Sequence, residues 1–82
     1  MTTNNHKLLN LLSKVLDVAP GSISDATSPE NTDAWDSYNA LVLVSELESE
    51  FNVSFGMDEV YAVKCVGDIR LALERHGINL IE

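Results

Sequence analysis

Trp35-Asp36-Ser37-Tyr38-Asn39-Ala40-Leu41-Val42-Leu43-Val44-Ser45-Glu46-Leu47-Glu48-Ser49-Glu50-Phe51 is the stretch that sets the fold class. At 100° per residue, Leu43, Val44, Leu47 and Phe51 share one face, which predicts an amphipathic helix over residues 37–51. Asp36 is placed to cap it, with its carboxylate at the positive end of the helix dipole. The opposite stripe carries Tyr38, Val42, Ser45 and Ser49, flanked by Glu46 on one side and by Leu41 and Glu48 on the other. Large apolar residues on an outward stripe point either to a partner or to cover for a neighbouring loop.

Upstream, residues 19–36 are rich in Pro, Ser, Thr, Asp and Asn and keep neither helical nor strand period. A loop of that length in a small domain implies function or anchoring, and Ile23 and Trp35 are the apolar anchors available. Before it, residues 5–18 place Leu8, Leu9, Leu11, Leu12, Val15, Leu16 and Val18 on one half of the wheel. His6, Lys7, Asn10, Ser13, Lys14 and Asp17 fill the other half. Asn4 or Asn5 is the expected cap, and Pro20-Gly21 the expected stop.

Downstream, Asn52, Val53 and Gly56 end the second helix. Residues 57–63 suit one or two turns begun by Asp58 and Glu59. Residues 66–76 form a last helix with Val66, Ile69 and Leu73 inward and Gly77 beyond its end. No strand alternation competes. The expected fold is all-α: a four-helix bundle of three main helices and a short third, with a long first loop. One domain spanning residues 1–82, with its core at about 5–77, fits the 82-residue length.

Thirteen acids against five bases give a net charge of −8. That field repels nucleic acid and anionic membrane surfaces and favours basic partners. The longest apolar run, Leu41-Val42-Leu43-Val44, is too short to span a bilayer, and Met1-Thr2-Thr3-Asn4-Asn5 does not resemble a signal peptide. The one cysteine, Cys65, allows no internal disulfide and fits a reducing compartment. A cytoplasmic monomer is expected, with neither nucleic acid nor membrane among its partners.

Enzymatic chemistry is poorly supplied. His6 and His76 lie near opposite ends of the chain with no Ser or Cys at a motif spacing, and no phosphate loop or nucleophile elbow is present. Both histidines are expected on the surface. As a calcium loop, residues 25–36 would need Gly where Glu30 stands and Glu where Asp36 stands, so that motif fails. Ser37 remains. As a capping serine it would contribute about 1 kcal/mol. As a modification site it would place a phosphate ester against free N–H groups at a helix N-terminus.

Taken together, these residues resemble the acyl carrier and peptidyl carrier protein family. That family opens the second helix of a four-helix bundle with Asp-Ser-Leu; here the tripeptide is Asp36-Ser37-Tyr38. The spacing of Leu41, Leu43-Val44, Leu47-Glu48, Glu50-Phe51 and Phe55, then Val63 and Val66-x-Asp68-Ile69, is similar to the family's over nearly the whole chain. The resemblance implies that Ser37 carries 4′-phosphopantetheine, delivered from coenzyme A by a phosphopantetheinyl transferase. The arm's thiol would hold an acyl or aminoacyl group as a thioester, and the protein would be a shuttle, not a catalyst. Asp36 would assist transferase recognition. Tyr38, Leu41, Val42, Glu46 and Glu48 would meet loading and processing enzymes through basic or mixed apolar docking patches.

Three positions depart from the family pattern. Tyr38 replaces leucine, Val42 stands where an acid is common, and Asp33-Ala34-Trp35 replaces Leu-Gly before the Asp-Ser pair. The tryptophan resembles discrete carriers of polyketide, nonribosomal peptide or other specialised pathways. The competing expectation is an unmodified helical interaction module that binds through Tyr38, Leu41 and Val42.

Overall fold

A computed structural model describes residues 3–80. Among them the order is α1 (Asn4–Leu16), a single 3-10 turn (Pro20–Ser22), α2 (Ser37–Phe51), α3 (Met57–Ala62) and α4 (Val66–Arg75). The fold is all-α, with three main helices and a short third.

Helix α1 begins one residue earlier than its apolar period indicates, because the cap is Thr3 and not Asn4 or Asn5. Thr3 Oγ1 accepts from the His6 N–H at 3.0 Å, satisfying one of the helix's free donors. Its end is also set differently from expectation. Asp17 turns left-handed (φ 54°) and its N–H returns to the Ser13 carbonyl, so α1 stops at Leu16 before Pro20-Gly21 is reached. Val18 continues the apolar pattern outside the helix and still packs on the core, which is why the period overran the element.

The core is built from Leu8, Leu11, Leu12 and Leu16 of α1, Leu43, Leu47 and Phe51 of α2, and Val66, Ile69 and Leu73 of α4. Trp35 and Leu80 complete it from the loops. Helix α3 buries no residue fully, and is held by Phe55 and Val63 at its flanks. Interlocked aliphatic side chains of this kind supply most of a small domain's stability.

The first loop is pinned at three places. Trp35 is 5% exposed, and Ile23 is half-buried against the same core. Between them the loop serves as the cap of α4, whose own Cys65 makes no side-chain capping bond. The Val66 N–H donates to the Thr27 carbonyl at 2.9 Å and the Gly67 N–H to the Asp25 carbonyl at 3.0 Å, so two orphan donors are met by loop backbone. Gly67 permits that approach: a Cβ there would lie 3.4 Å from both Cβ and O of Asp25. Arg70 then joins three segments, with Nε on Asp25 Oδ1 at 2.8 Å and a second guanidinium nitrogen on Asn5.

These two kinds of restraint differ in weight. Leu12→Ala removes a side chain that is 0% exposed and should cost about 2–5 kcal/mol in urea unfolding. Asp25→Asn breaks an ion pair whose acid is 72% exposed and should cost less than about 1 kcal/mol. Equal losses for the two variants would contradict the greater weight given to the apolar core over the surface ion pair.

Candidate functional site

Buried Trp35 fixes where the chain leaves the loop, and two residues later α2 begins. Asp36 is extended, and its Oδ1 accepts from the Asn39 N–H at 2.8 Å. The Asn39 side chain turns back to donate to the Ala34 carbonyl at 2.6 Å, stapling the loop's end to the helix's first turn. Sequence reasoning missed Asn39. Its signal was its place three residues after the cap, where a capping-box side chain stands in other helices.

Ser37 is the first residue of α2 and is exposed. Its hydroxyl makes no hydrogen bond with any described residue, because the capping task belongs to Asp36. The capping role weighed for Ser37 from sequence is therefore corrected. The N–H groups of Ser37 and Tyr38 are likewise without an acceptor among the described residues, since the first donors of α2 with acceptors are Asn39 and Ala40. A free hydroxyl beside two free amides at the positive end of a helix suits an esterified phosphate. The neighbouring Asp36 charge opposes a bare anion there.

Next to Ser37, Tyr38 is 74% exposed, and Leu41 one turn on is 65% exposed; on α3, Met57 and Tyr61 are exposed as well. Val42 is half-buried. Glu46 lies on the α1 side of α2, along a shallow groove with Lys7 and Lys14. Glu48 is half-buried, and its Oε2 accepts from the Phe55 N–H at 2.8 Å, a structural task for one of its oxygens that the sequence did not reveal.

Between α2, α3 and α4 lies an apolar crevice of about 60 Å³. Trp35, Ala40, Leu43 and Leu47 form one wall; Val60, Val63 and Ile69 stand among those facing them. Glu59 is the ionisable group on its lining among the described residues. Its carboxylate accepts from the Gly56 N–H at 3.1 Å and meets His76 Nε2 at 2.9 Å, while the His76 ring stands edge-on to Phe55. His76 is exposed at the end of α4, as expected, and its ring also ties that end to α3. The Gly56 N–H first, and then His76, hold the Glu59 carboxyl below the usual carboxylate range.

Among the described residues no group of three or more His, Cys, Asp or Glu is placed to hold a metal ion. No helix there is long and apolar enough to cross a membrane.

Two outcomes follow for stability. Ser37→Ala should change unfolding free energy by less than about 0.5 kcal/mol, because no bond is lost, whereas Asp36→Ala should cost about 1 kcal/mol. Reversal of that order in urea titrations would place the cap on Ser37. For Glu59 the folded pKa is depressed, so its contribution is present above the unfolded value near 4.5 and is lost as pH falls through the lower folded value. Glu59→Gln should accordingly flatten the acid side of the stability profile below pH 4.5. An unchanged profile would show the Gly56–Glu59–His76 link to be energetically silent.

Comparison with known proteins agrees with this geometry. No curated protein matches the chain. A family model described as the phosphopantetheine attachment site matches residues 6–73, spanning α1 to most of α4 and including the Asp36-Ser37 turn. Domains of this family bind 4′-phosphopantetheine covalently, are carriers rather than catalysts, and work with phosphopantetheinyl transferases and biosynthetic enzymes. The chain therefore belongs to the phosphopantetheine attachment-site family, as an acyl- or peptidyl-carrier-like helical domain with no catalytic role of its own.

Proposed function

We propose that Ser37 Oγ is the point of attachment of the 4′-phosphopantetheine arm. The observation that carries this reading is the exposed hydroxyl, free of hydrogen bonds, on the first residue of α2 beside the unpaired amides of Ser37 and Tyr38. In the transfer, a phosphoester bond forms at Oγ as the phosphoanhydride bond of coenzyme A breaks. The adenine nucleotide leaves, and the serine proton passes to the transferase. The arm supplies a thiol that holds an acyl or aminoacyl group as a thioester. This chain's own residues then orient the arm and present it to partners.

Asp36 has two tasks in this reading: it caps α2 and marks the site for the transferase. Exposed Tyr38 and Leu41 and half-buried Val42 form the docking surface. Glu46 borders it and adds negative charge for basic partners; Glu48 contributes charge while one of its oxygens stays bound to Phe55. Such a surface fits enzymes with mixed apolar and basic docking patches. The exposed aromatic and aliphatic residues, with Trp35 before the site, favour a discrete carrier of polyketide, nonribosomal peptide or other specialised metabolism. We also assign the chain as one carrier domain with its core at about 5–77, monomeric and cytoplasmic, consistent with the free Cys65.

Incubation with coenzyme A and a broad-specificity phosphopantetheinyl transferase should add one arm per chain by intact mass. The Ser37→Ala protein, folded to the same stability, should add none. An adduct retained in Ser37→Ala would overturn the assignment, and no adduct on the folded wild-type chain would favour the unmodified interaction module.

A further inference from the structure

A second, larger recess opens between the end of α1 and the first loop. Leu16 and Val18 form one side of it, and Ser24, Ala26, Asp33 and Ala34 stand among the loop residues that form the other. Its volume is about 620 Å³, against about 60 Å³ for the apolar crevice. Ligand sites span roughly 300–1,000 Å³, so of the two only the loop bay can admit a molecule the size of a pantetheine arm. The bay also reaches the serine's turn. Ala34 lines it, and the Ala34 carbonyl accepts from the Asn39 side chain, in the first turn of α2, at 2.6 Å.

Several polar groups along the bay are open. The N–H groups of Asp33 and Ala34 have no acceptor among the described residues, and the exposed Asp33 carboxylate has no donor there. Ser24 Oγ accepts from the Ala26 N–H at 3.2 Å and leaves its own proton unspent among the described residues. Between these groups lie aliphatic patches: Leu16 is buried, Val18 half-buried and Ala26 exposed.

A 4′-phosphopantetheine arm has the same alternation, with a geminal dimethyl group, a hydroxyl and two amides between its phosphate and its thiol. That middle portion carries no charge, so the Asp33 carboxylate can accept from its hydroxyl and N–H groups without repulsion. In the crevice the same amides would lose their water among hydrocarbon walls, where the Glu59 oxygens are already taken by Gly56 and His76. A short tether raises the effective concentration of its free end to the order of millimolar, so a few hydrogen bonds suffice to populate a seat.

Resting on the carrier function proposed above, we propose that this bay is the resting seat of the arm. Asp33 and Ala34 hydrogen-bond its hydroxyl and amide groups, and Val18 and Ala26 receive its dimethyl group. The arm then lies along the first loop.

The test uses the isotope-labelled full chain after transfer from coenzyme A, with addition at Ser37 checked by mass. Nuclear Overhauser contacts should run from the arm's geminal methyl groups to the methyl groups of Val18 and Ala26. The amides of Asp33 and Ala34 should shift relative to the unmodified protein. Val18 and Ala26 are far from Ser37 in the chain, so attachment alone does not supply those contacts. Ala26→Glu, which sends a longer charged side chain into the bay from an exposed position, should abolish them. Contacts to Val60 or Val63 instead, contacts that survive in Ala26→Glu, or an arm touching neither region would overturn the inference and leave the carrier function standing. No adduct on the folded chain would remove the carrier function and this inference together.

Discussion

Trp35 is the residue on which the geometry of the site depends. A long polar loop carries little apolar surface of its own, and ordering it costs conformational entropy at every residue. Burying the indole in the core offsets that cost two residues before the serine. With Trp35 inside, Asp36 and Ser37 must be outside, and α2 starts where the chain turns. The exposed hydroxyl is thus a consequence of what its neighbour buries.

The loop repays its own anchoring by capping α4. The carbonyls of Asp25 and Thr27 accept from the first amides of that helix, close to Gly67, where the absence of a side chain admits the loop backbone. One segment therefore positions the serine at the start of α2 and completes the start of α4. Helix α3 has no such support. It buries nothing fully and is joined to α4 by the Glu59–His76 pair, so the wall of the crevice is its least constrained part.

Much of this was legible in the sequence, for physical reasons. Helix α2 could be bounded because Asp36 is a strong cap and the apolar face ends at Phe51, next to an Asn that takes the left-handed turn. The family resemblance, carried by Asp36-Ser37-Tyr38 and the helix spacing, agrees with the family match over residues 6–73. The end of α1 was misplaced because hydrophobic period reports burial and not backbone conformation, and Val18 is half-buried without being helical. His76 and Glu59 lie too far apart in sequence for any local rule to pair them. The task of Glu48, accepting from Phe55, was hidden for the same reason: a charge on a helix face does not disclose a loop amide folded back onto it.

The central claim is that the phosphate arrives at Ser37 Oγ and meets the unpaired amides of α2's first turn. Amide NMR spectra of the unmodified and pantetheinylated protein test it directly. The account predicts the largest shifts at Ser37 and Tyr38, with Leu12 and Leu73 in the core unmoved. Shifts centred on another serine, or none in the first turn of α2, would contradict it.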